Sequence, residues 1–385
     1  MGKTFRRLVV VGLVALAWIW LQSHPVHLDP EELWTKVREA LSPFTERLPV
    51  HAPIAPEPSV GNGGVVSSES HPPADGSGGP SGESEVRLSG ATSLRLGLSA
   101  DEASALLGSP TWRGASPQGE DWWVYEKGGR LYAVLAFRDG VLVDAFSTSP
   151  NWTLGKYRAG QKFPDDTVPQ TIEVRLDAGA KAQFSQERLK EGIVLLPGGG
   201  RGELVRVYVD RFRENLVVAV RLSDVRHVLR ARAFPVEFSY VGSLPPWLDE
   251  EVPPEAEEQS ARTGERLMHR LINDFRADLG LRTLTWDAAV ARVALGHSQD
   301  MATHHFFAHV SPTTGLDVAG RMKAAGIPFR VVGENLATGF ADVLEAHVGL
   351  LNSEGHRKNL LGADFTRDGV GIVNPYVTVV FYRPL

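Results

Sequence analysis

The chain has 385 residues, 43% of them hydrophobic, which is enough to build two domains of ordinary size with real cores. A formal net charge of −6 without a concentrated basic stripe argues against a nucleic-acid-binding protein, because phosphate recognition needs a basic face. Zero cysteines exclude disulfides, thiolate chemistry and cysteine-type zinc sites.

Residues 1–25 have the pattern of a signal sequence or an N-terminal anchor. Lys3, Arg6 and Arg7 precede an apolar run that extends to Leu21. The bulky stretch that follows, IWLQSHP, offers no small-residue cleavage site. We therefore favour an uncleaved membrane helix over a cleaved signal. The positive-inside rule then places the rest of the chain outside the cytoplasm, and cleavage would make the protein secreted.

Residues 26–85 are predicted to form a flexible tether. From Pro49 onwards the composition is dominated by Pro, Gly, Ser and Glu. Such a segment cannot bury enough apolar surface to offset the entropy of ordering it.

Residues 86–242 are predicted to fold as a smaller antiparallel α+β domain. A short helix is expected from Ser99 to Leu107. Alternating apolar runs follow, separated by candidate hairpin turns at Gly128-Gly129 and Asp139-Gly140. No constellation of catalytic residues is visible in this segment.

Residues 243–258 are acidic and proline-rich, which predicts a linker. The second domain, residues 259–385, begins with a helix from Gln259 to Leu279 that repeats apolar residues at i+4. Three more helical patterns and two short terminal strands follow. The predicted fold class is therefore α+β, with a C-terminal α-β-α sandwich.

Three ordered stretches of the second domain carry a family resemblance. They are WDAAVARVALGHSQDMATHHFFAHVSPTTG, GENLATG and NSEGHRKNLLGADFTRDGVGIV. Residues 259–385 resemble the bacterial branch of the CAP superfamily, the SCP-like extracellular domain of cysteine-rich secretory, antigen 5 and pathogenesis-related 1 proteins. Residues 86–242 resemble the CAP-associated domain that precedes it in some membrane-anchored bacterial proteins.

The resemblance implies a cleft lined by two histidines and two acidic residues that can hold a divalent cation. Carried over, the histidines are His309 and His356, and the first acidic residue is Glu334. Ser353 stands where the second carboxylate would be. Asn335 is expected beside the cleft.

The three residues identified by the resemblance could bind a metal ion or take part in catalysis. Two imidazoles and one carboxylate can bind zinc with an open fourth position, and calcium is the other candidate ion. A triad of Ser353, His356 and Glu334 can also be drawn, but no nucleophile elbow presents the serine. No H-E-x-x-H motif is present to supply the base of a metalloprotease.

Other polar residues of the second domain have structural interpretations. His297 and His347 lie on apolar helical faces and are expected to be hydrogen-bonded core histidines. Arg321 and Arg357 are expected to form structural pairs or surface charges.

Two functions remain open. The first is a non-enzymatic binding module of the cell envelope or spore surface that recognises a lipid, glycan, peptide or partner protein, with the membrane contacted by the N-terminal helix. The alternative is a metal-dependent hydrolase, a peptidase or wall-acting enzyme, that uses the same cleft. The missing second carboxylate favours binding.

Overall fold

The computed structural model describes residues 86–87, 93–164, 168–176, 180–200, 202–232, 234–240, 245–248 and 250–385. The predicted anchor, 1–25, and tether, 26–85, lie outside these residues. Within the described ranges, no helix combines the length and the apolar character needed to cross a membrane.

Lobe 1, the described part of residues 86–240, is built on antiparallel strands, as predicted. Its helices are α1 (Ala100–Leu107) and α2 (Val225–Ala231). Its strands are β1 (Val86–Arg87), β2 (Ser93–Leu94), β3 (Trp112–Ala115), β4 (Asp121–Lys127), β5 (Arg130–Arg138), β6 (Val141–Ser147), β7 (Thr153–Leu154), β8 (Thr171–Arg175), β9 (Lys181–Ser185), β10 (Ile193–Pro197), β11 (Glu203–Asp210), β12 (Leu216–Asp224) and β13 (Val236–Ser239).

Seven of these strands form the main sheet, in the order β10-β11-β12-β6-β5-β4-β3. Smaller sheets, β2-β1-β7 and β13-β9-β8, flank it. The predicted turns are confirmed: Gly128-Gly129 joins β4 to β5, and Asp139-Gly140 joins β5 to β6. Helix α1 starts where predicted, because the Ser99 and Glu102 side chains form a capping box.

Lobe 2, residues 250–385, is the predicted α-β-α sandwich. Its helices are α3 (Pro254–Asp278), α4 (Ala288–His304), α5 (Val318–Ala324), α6 (Val343–Leu351) and α7 (Glu354–Leu360). Its strands are β14 (Thr285–Trp286), β15 (Val331–Ala337), β16 (Arg367–Val373) and β17 (Tyr376–Arg383). Helix α3 begins at Pro254 rather than at Gln259, since proline is well suited to the first helical turn.

The sheet of lobe 2 has the order β14-β16-β17-β15 and is covered on both faces. Alternation along β17 sends Val379 and Phe381 into the core with α3 and α6. Val380 and Tyr382 face the opposite side and pack with α4 and α5. A side chain at Gly371 would overlap the Leu295 backbone nitrogen, so glycine is required for α4 to approach β16.

The two lobes share one apolar core rather than standing apart on a linker. Trp122, Phe146 and Tyr208 of lobe 1 belong to the same buried cluster as Leu267 and Leu344 of lobe 2. The predicted linker also contributes to the contact between the lobes: its Glu250 accepts hydrogen bonds from Arg138 and Arg230, each at 3.1 Å. Its composition alone could not reveal these contacts.

A buried charge network crosses the same interface. Arg206 pairs with Glu345 at 2.6 Å, and Arg221 pairs with Asp342 at 2.8 Å. Asp144 binds both arginines from within lobe 1. Burial alone would raise the pKa of Asp144, but the nearby positive groups, Arg221 first, outweigh burial and lower that pKa to about 2.

Candidate binding cleft

The predicted cleft residues come from separate elements of lobe 2. His309 follows α4 in a loop, Glu334 lies on β15, and His356 lies on α7 with Ser353 at its N-cap. Strand β15 was not predicted. It forms because residues 331–337 pair in full register with β17, a contact that depends on residues far away in the sequence.

Glu334 is a buried and paired carboxylate. Its side chain is 2% exposed, and its Oε1 lies 2.9 Å from Nδ1 of His309. Its Oε2 accepts a hydrogen bond from the Arg321 guanidinium. Arg321 is thus the structural pair that was expected, but its place inside the cleft was missed, because the sequence does not show that α5 folds back against β15.

The loop that carries His309 is held on two sides. His297 Nε2 donates to the Ala308 carbonyl at 3.0 Å, so His297 is the hydrogen-bonded core histidine that was predicted. Arg321 donates to the His309 carbonyl at 3.1 Å. The loop backbone is therefore fixed although its side chains face solvent.

The rim of the cleft around His309 is exposed and apolar. The His309 side chain is 56% exposed, and the neighbouring Phe307 and Val310 are 47% and 53% exposed. Exposed large apolar residues clustered around a polar centre are typical of a recognition surface.

His356 lies in the first turn of α7, three residues after the N-cap Ser353. Burial lowers its pKa, and the charge of His309 lowers it further. Its Nδ1 lies 2.9 Å from the Ser353 hydroxyl. The neutral form of His356 is therefore favoured.

Two asparagine side chains join β15 to α7 through hydrogen bonds. Asn335 is fully buried and donates to the His356 carbonyl at 3.0 Å. Asn359 donates to the Glu334 carbonyl at 3.0 Å and to the Asn335 amide oxygen at 2.9 Å. Asn335 therefore acts on the cleft by positioning the backbone of His356.

The side chains present do not fit a three-ligand metal site in this arrangement. Both oxygens of Glu334 are engaged, and the Arg321 guanidinium places a positive charge beside them. Glu354, the other nearby carboxylate in the sequence, is exposed and pairs with Lys358 at 3.0 Å. Among the residues that the structure describes, no group of three or more His, Cys, Asp or Glu side chains is placed to hold a metal ion. Zinc or calcium binding stays a prediction.

The Ser353, His356 and Glu334 triad that can be drawn from the sequence is only half formed. Ser353 and His356 are in contact, but Glu334 bonds to His309 and Arg321 instead of His356. The cleft is therefore a fixed polar centre without a continuous Ser-His-Glu relay.

Comparison with known sequences identifies the class. Residues 269–381 match the model of the CAP family, described as the cysteine-rich secretory protein family. The chain is also 31% identical over 293 residues to the uncharacterized membrane protein YlbC of Bacillus subtilis (strain 168), a match that covers 75% of this chain and 82% of that protein. The chain belongs to the CAP family.

Two solved structures share the architecture. An extracellular protein containing an SCP domain, from Bacillus anthracis str. Ames, matches with a TM-score of 0.66 and 28% identity over 75% of this chain and 93% of that one. A cysteine-rich secretory protein from Staphylococcus aureus subsp. aureus Mu50 matches in fold, with a TM-score of 0.59 and 16% identity over 74% of this chain and 91% of that one. Both matches cover more than the CAP segment, so they include part of lobe 1.

Proposed function

We propose that this chain is a membrane-anchored, extracytoplasmic binding module of the cell envelope whose cleft recognises a partner peptide or protein. The predicted anchor at residues 1–25 supports the location. So do two relatives, one named a membrane protein and the other an extracellular protein.

The exposed rim around a paired, buried carboxylate is the observation that carries the proposal. Phe307 and Val310 offer apolar contact, and His309 offers a hydrogen-bonding group held in place by Glu334. Such a surface fits a partner segment that presents an apolar side chain beside a hydrogen-bonding group. Because Glu334 is already paired, it is poorly placed to act as a free general base.

Site-specific photo-crosslinking on intact cells tests this proposal. A benzophenone amino acid is placed at Val310, and a matched control is placed at Val141, which is 42% exposed on lobe 1. We expect one discrete envelope protein to crosslink at Val310, to be lost with Phe307→Ser, and to be absent at Val141. The same crosslinking pattern at both positions would overturn the proposal.

The contact between Ser353 and His356 favours one alternative, a hydrolase that uses the cleft. A metal-dependent hydrolase would need Glu334 to leave Arg321, whereas a serine hydrolase would need only an activated Ser353. Labelling with a fluorophosphonate, followed by mapping of the modified peptide, separates binding from serine catalysis. We expect Ser353 to remain unlabelled. Labelling of Ser353 that the Ser353→Ala variant abolishes would establish the alternative.

A further inference from the structure

A cavity of about 600 Å³ lies between the lobes, and none of the cleft residues lines it. Lobe 1 contributes Tyr132, Phe146 and Val218 to its wall. Lobe 2 contributes Phe275 and His347. The volume is within the range of about 300–1,000 Å³ that small-molecule sites occupy.

His347 is the unusual group in this wall. It is 6% exposed, and within the described part of the chain no hydrogen bond to its imidazole is present. Its Nδ1 is enclosed by protein, so Nε2 is the ring nitrogen that a molecule in the cavity can reach. His347 is therefore the core histidine that was expected, but the expected hydrogen bond is absent among the described residues. Burial lowers its pKa to about 4, so the ring is neutral at pH 7. Nε2 also lacks a partner among the described residues, so a ligand that pairs with it would add a hydrogen bond that the fold does not supply.

Charged side chains also line the cavity, among them Asp274, which is 17% exposed and accepts a hydrogen bond from the Leu131 amide at 2.8 Å. Lys127 and Arg130 are exposed there, with the Lys127 ammonium 3.6 Å from the centre of the Tyr132 ring and Arg130 paired with Asp278. The wall next to His347 is nevertheless apolar and is formed by Phe275, Leu344 and Leu351. A charged ligand group placed there would lack compensation, so the interior suits an uncharged molecule.

We propose that this cavity binds an uncharged, mostly apolar alcohol or phenol whose hydroxyl pairs with the imidazole of His347. A hydroxyl fits Nε2 in either tautomer of the neutral ring, because it donates to an unprotonated nitrogen and accepts from a protonated one. The apolar body of the ligand packs against Phe146, Val218 and Phe275 at the lobe interface.

A matched pair of probes tests the hydrogen bond in the full chain. 2-Naphthol carries the hydroxyl and naphthalene lacks it, and both are followed by fluorescence titration. We expect saturable binding of both, with His347→Leu weakening 2-naphthol roughly fivefold and leaving naphthalene unchanged, since one buried hydrogen bond contributes about 1 kcal/mol. If His347→Leu changes neither affinity, or changes both equally, the imidazole is not the ligand's partner.

A second variant locates the site independently of His347. Val218→Phe fills the cavity and is expected to abolish binding of both probes, while Val141→Phe, a matched change on the exposed surface, leaves binding unchanged. Binding that survives Val218→Phe would place the site elsewhere. Absence of saturable binding of either probe to the wild-type chain would overturn the proposal.

Discussion

Arg357 and Asp210 form a two-point ion pair that joins the cleft helix α7 to lobe 1. The Nη1–Oδ1 distance is 2.9 Å and the Nη2–Oδ2 distance is 3.0 Å, and the Asp210 side chain is fully buried. One turn away, Asn352 donates to the Val209 carbonyl at 2.8 Å and accepts from the Arg211 amide at 2.8 Å. Lobe 1 therefore holds the NSEGHR segment that carries His356.

Removing one partner of this pair is expected to be costly. Arg357→Leu leaves the Asp210 carboxylate buried and unpaired, which should lower the free energy of unfolding by about 3–5 kcal/mol. Guanidinium denaturation of the full chain measures the loss. Arg262→Leu is the control, because its pair with Glu258 is exposed and should contribute about 1 kcal/mol or less. Equal losses in the two variants would show that Arg357 does not anchor the lobes.

Elements set by local pattern could be predicted from the sequence. The Ser99 capping box, the hairpin turns of lobe 1 and the apolar repeat of α3 each depend on neighbouring residues, and each is present. His309, Glu334 and His356 came from the motif resemblance. The structure brings His309 and Glu334 into contact and connects the backbones of Glu334 and His356 through Asn359 and Asn335.

Contacts between distant residues could not be predicted. Arg357 and Asp210 are 147 positions apart, and Arg206 and Glu345 are 139 apart, so no periodicity connects them. The proline-rich stretch at 243–258 has the composition of a linker, yet its Glu250 accepts hydrogen bonds from Arg138 and Arg230 of lobe 1. The pairing of Glu334 with Arg321 depends on where α5 packs, which local pattern does not specify.

The two cleft histidines should be electrostatically coupled. The positive charge of His309 adds to burial in lowering the pKa of His356, so His309→Ala should raise the His356 pKa. NMR titration of the histidine ring protons measures this change, with His304→Ala as an exposed control. An unchanged His356 pKa would mean that the two rings do not share a cleft.

The interface charges predict a loss of stability in acid. The pKa of Asp144 is lowered from 3.8 to about 2 in the fold, so its contribution is present above pH 3.8 and is lost as pH falls towards 2. That contribution is on the order of 2 kcal/mol. In Asp144→Asn, the free energy of unfolding should fall less steeply as the pH is lowered through this window. Denaturation experiments at a series of pH values measure this slope. An unchanged slope would contradict the assignment.

His347 should give a second pH dependence in a higher range. Its folded pKa of about 4 lies below its ordinary value of 6.5, so the unfolded chain binds more protons between these values and stability falls as pH drops from 6.5 to 4. His347→Leu should remove this dependence and, by removing an unpaired buried polar group, stabilise the ligand-free chain at pH 7 by about 1 kcal/mol. A less stable variant at pH 7 would show that the imidazole has a partner within the fold.

The central claim is that Arg321 engages Glu334, so that this carboxylate serves a recognition cleft and is not free to bind a metal. Calorimetric titration with zinc, on the full chain and on its Arg321→Ala variant, tests this claim most directly. The geometry predicts weak zinc binding by the wild type and at least tenfold tighter binding by Arg321→Ala, because the variant frees one Glu334 oxygen beside His309 and His356. Adding His309→Ala to that variant should remove the gain. Tight, stoichiometric, His309-dependent zinc binding by the wild-type chain would contradict this picture and favour a metal-dependent hydrolase.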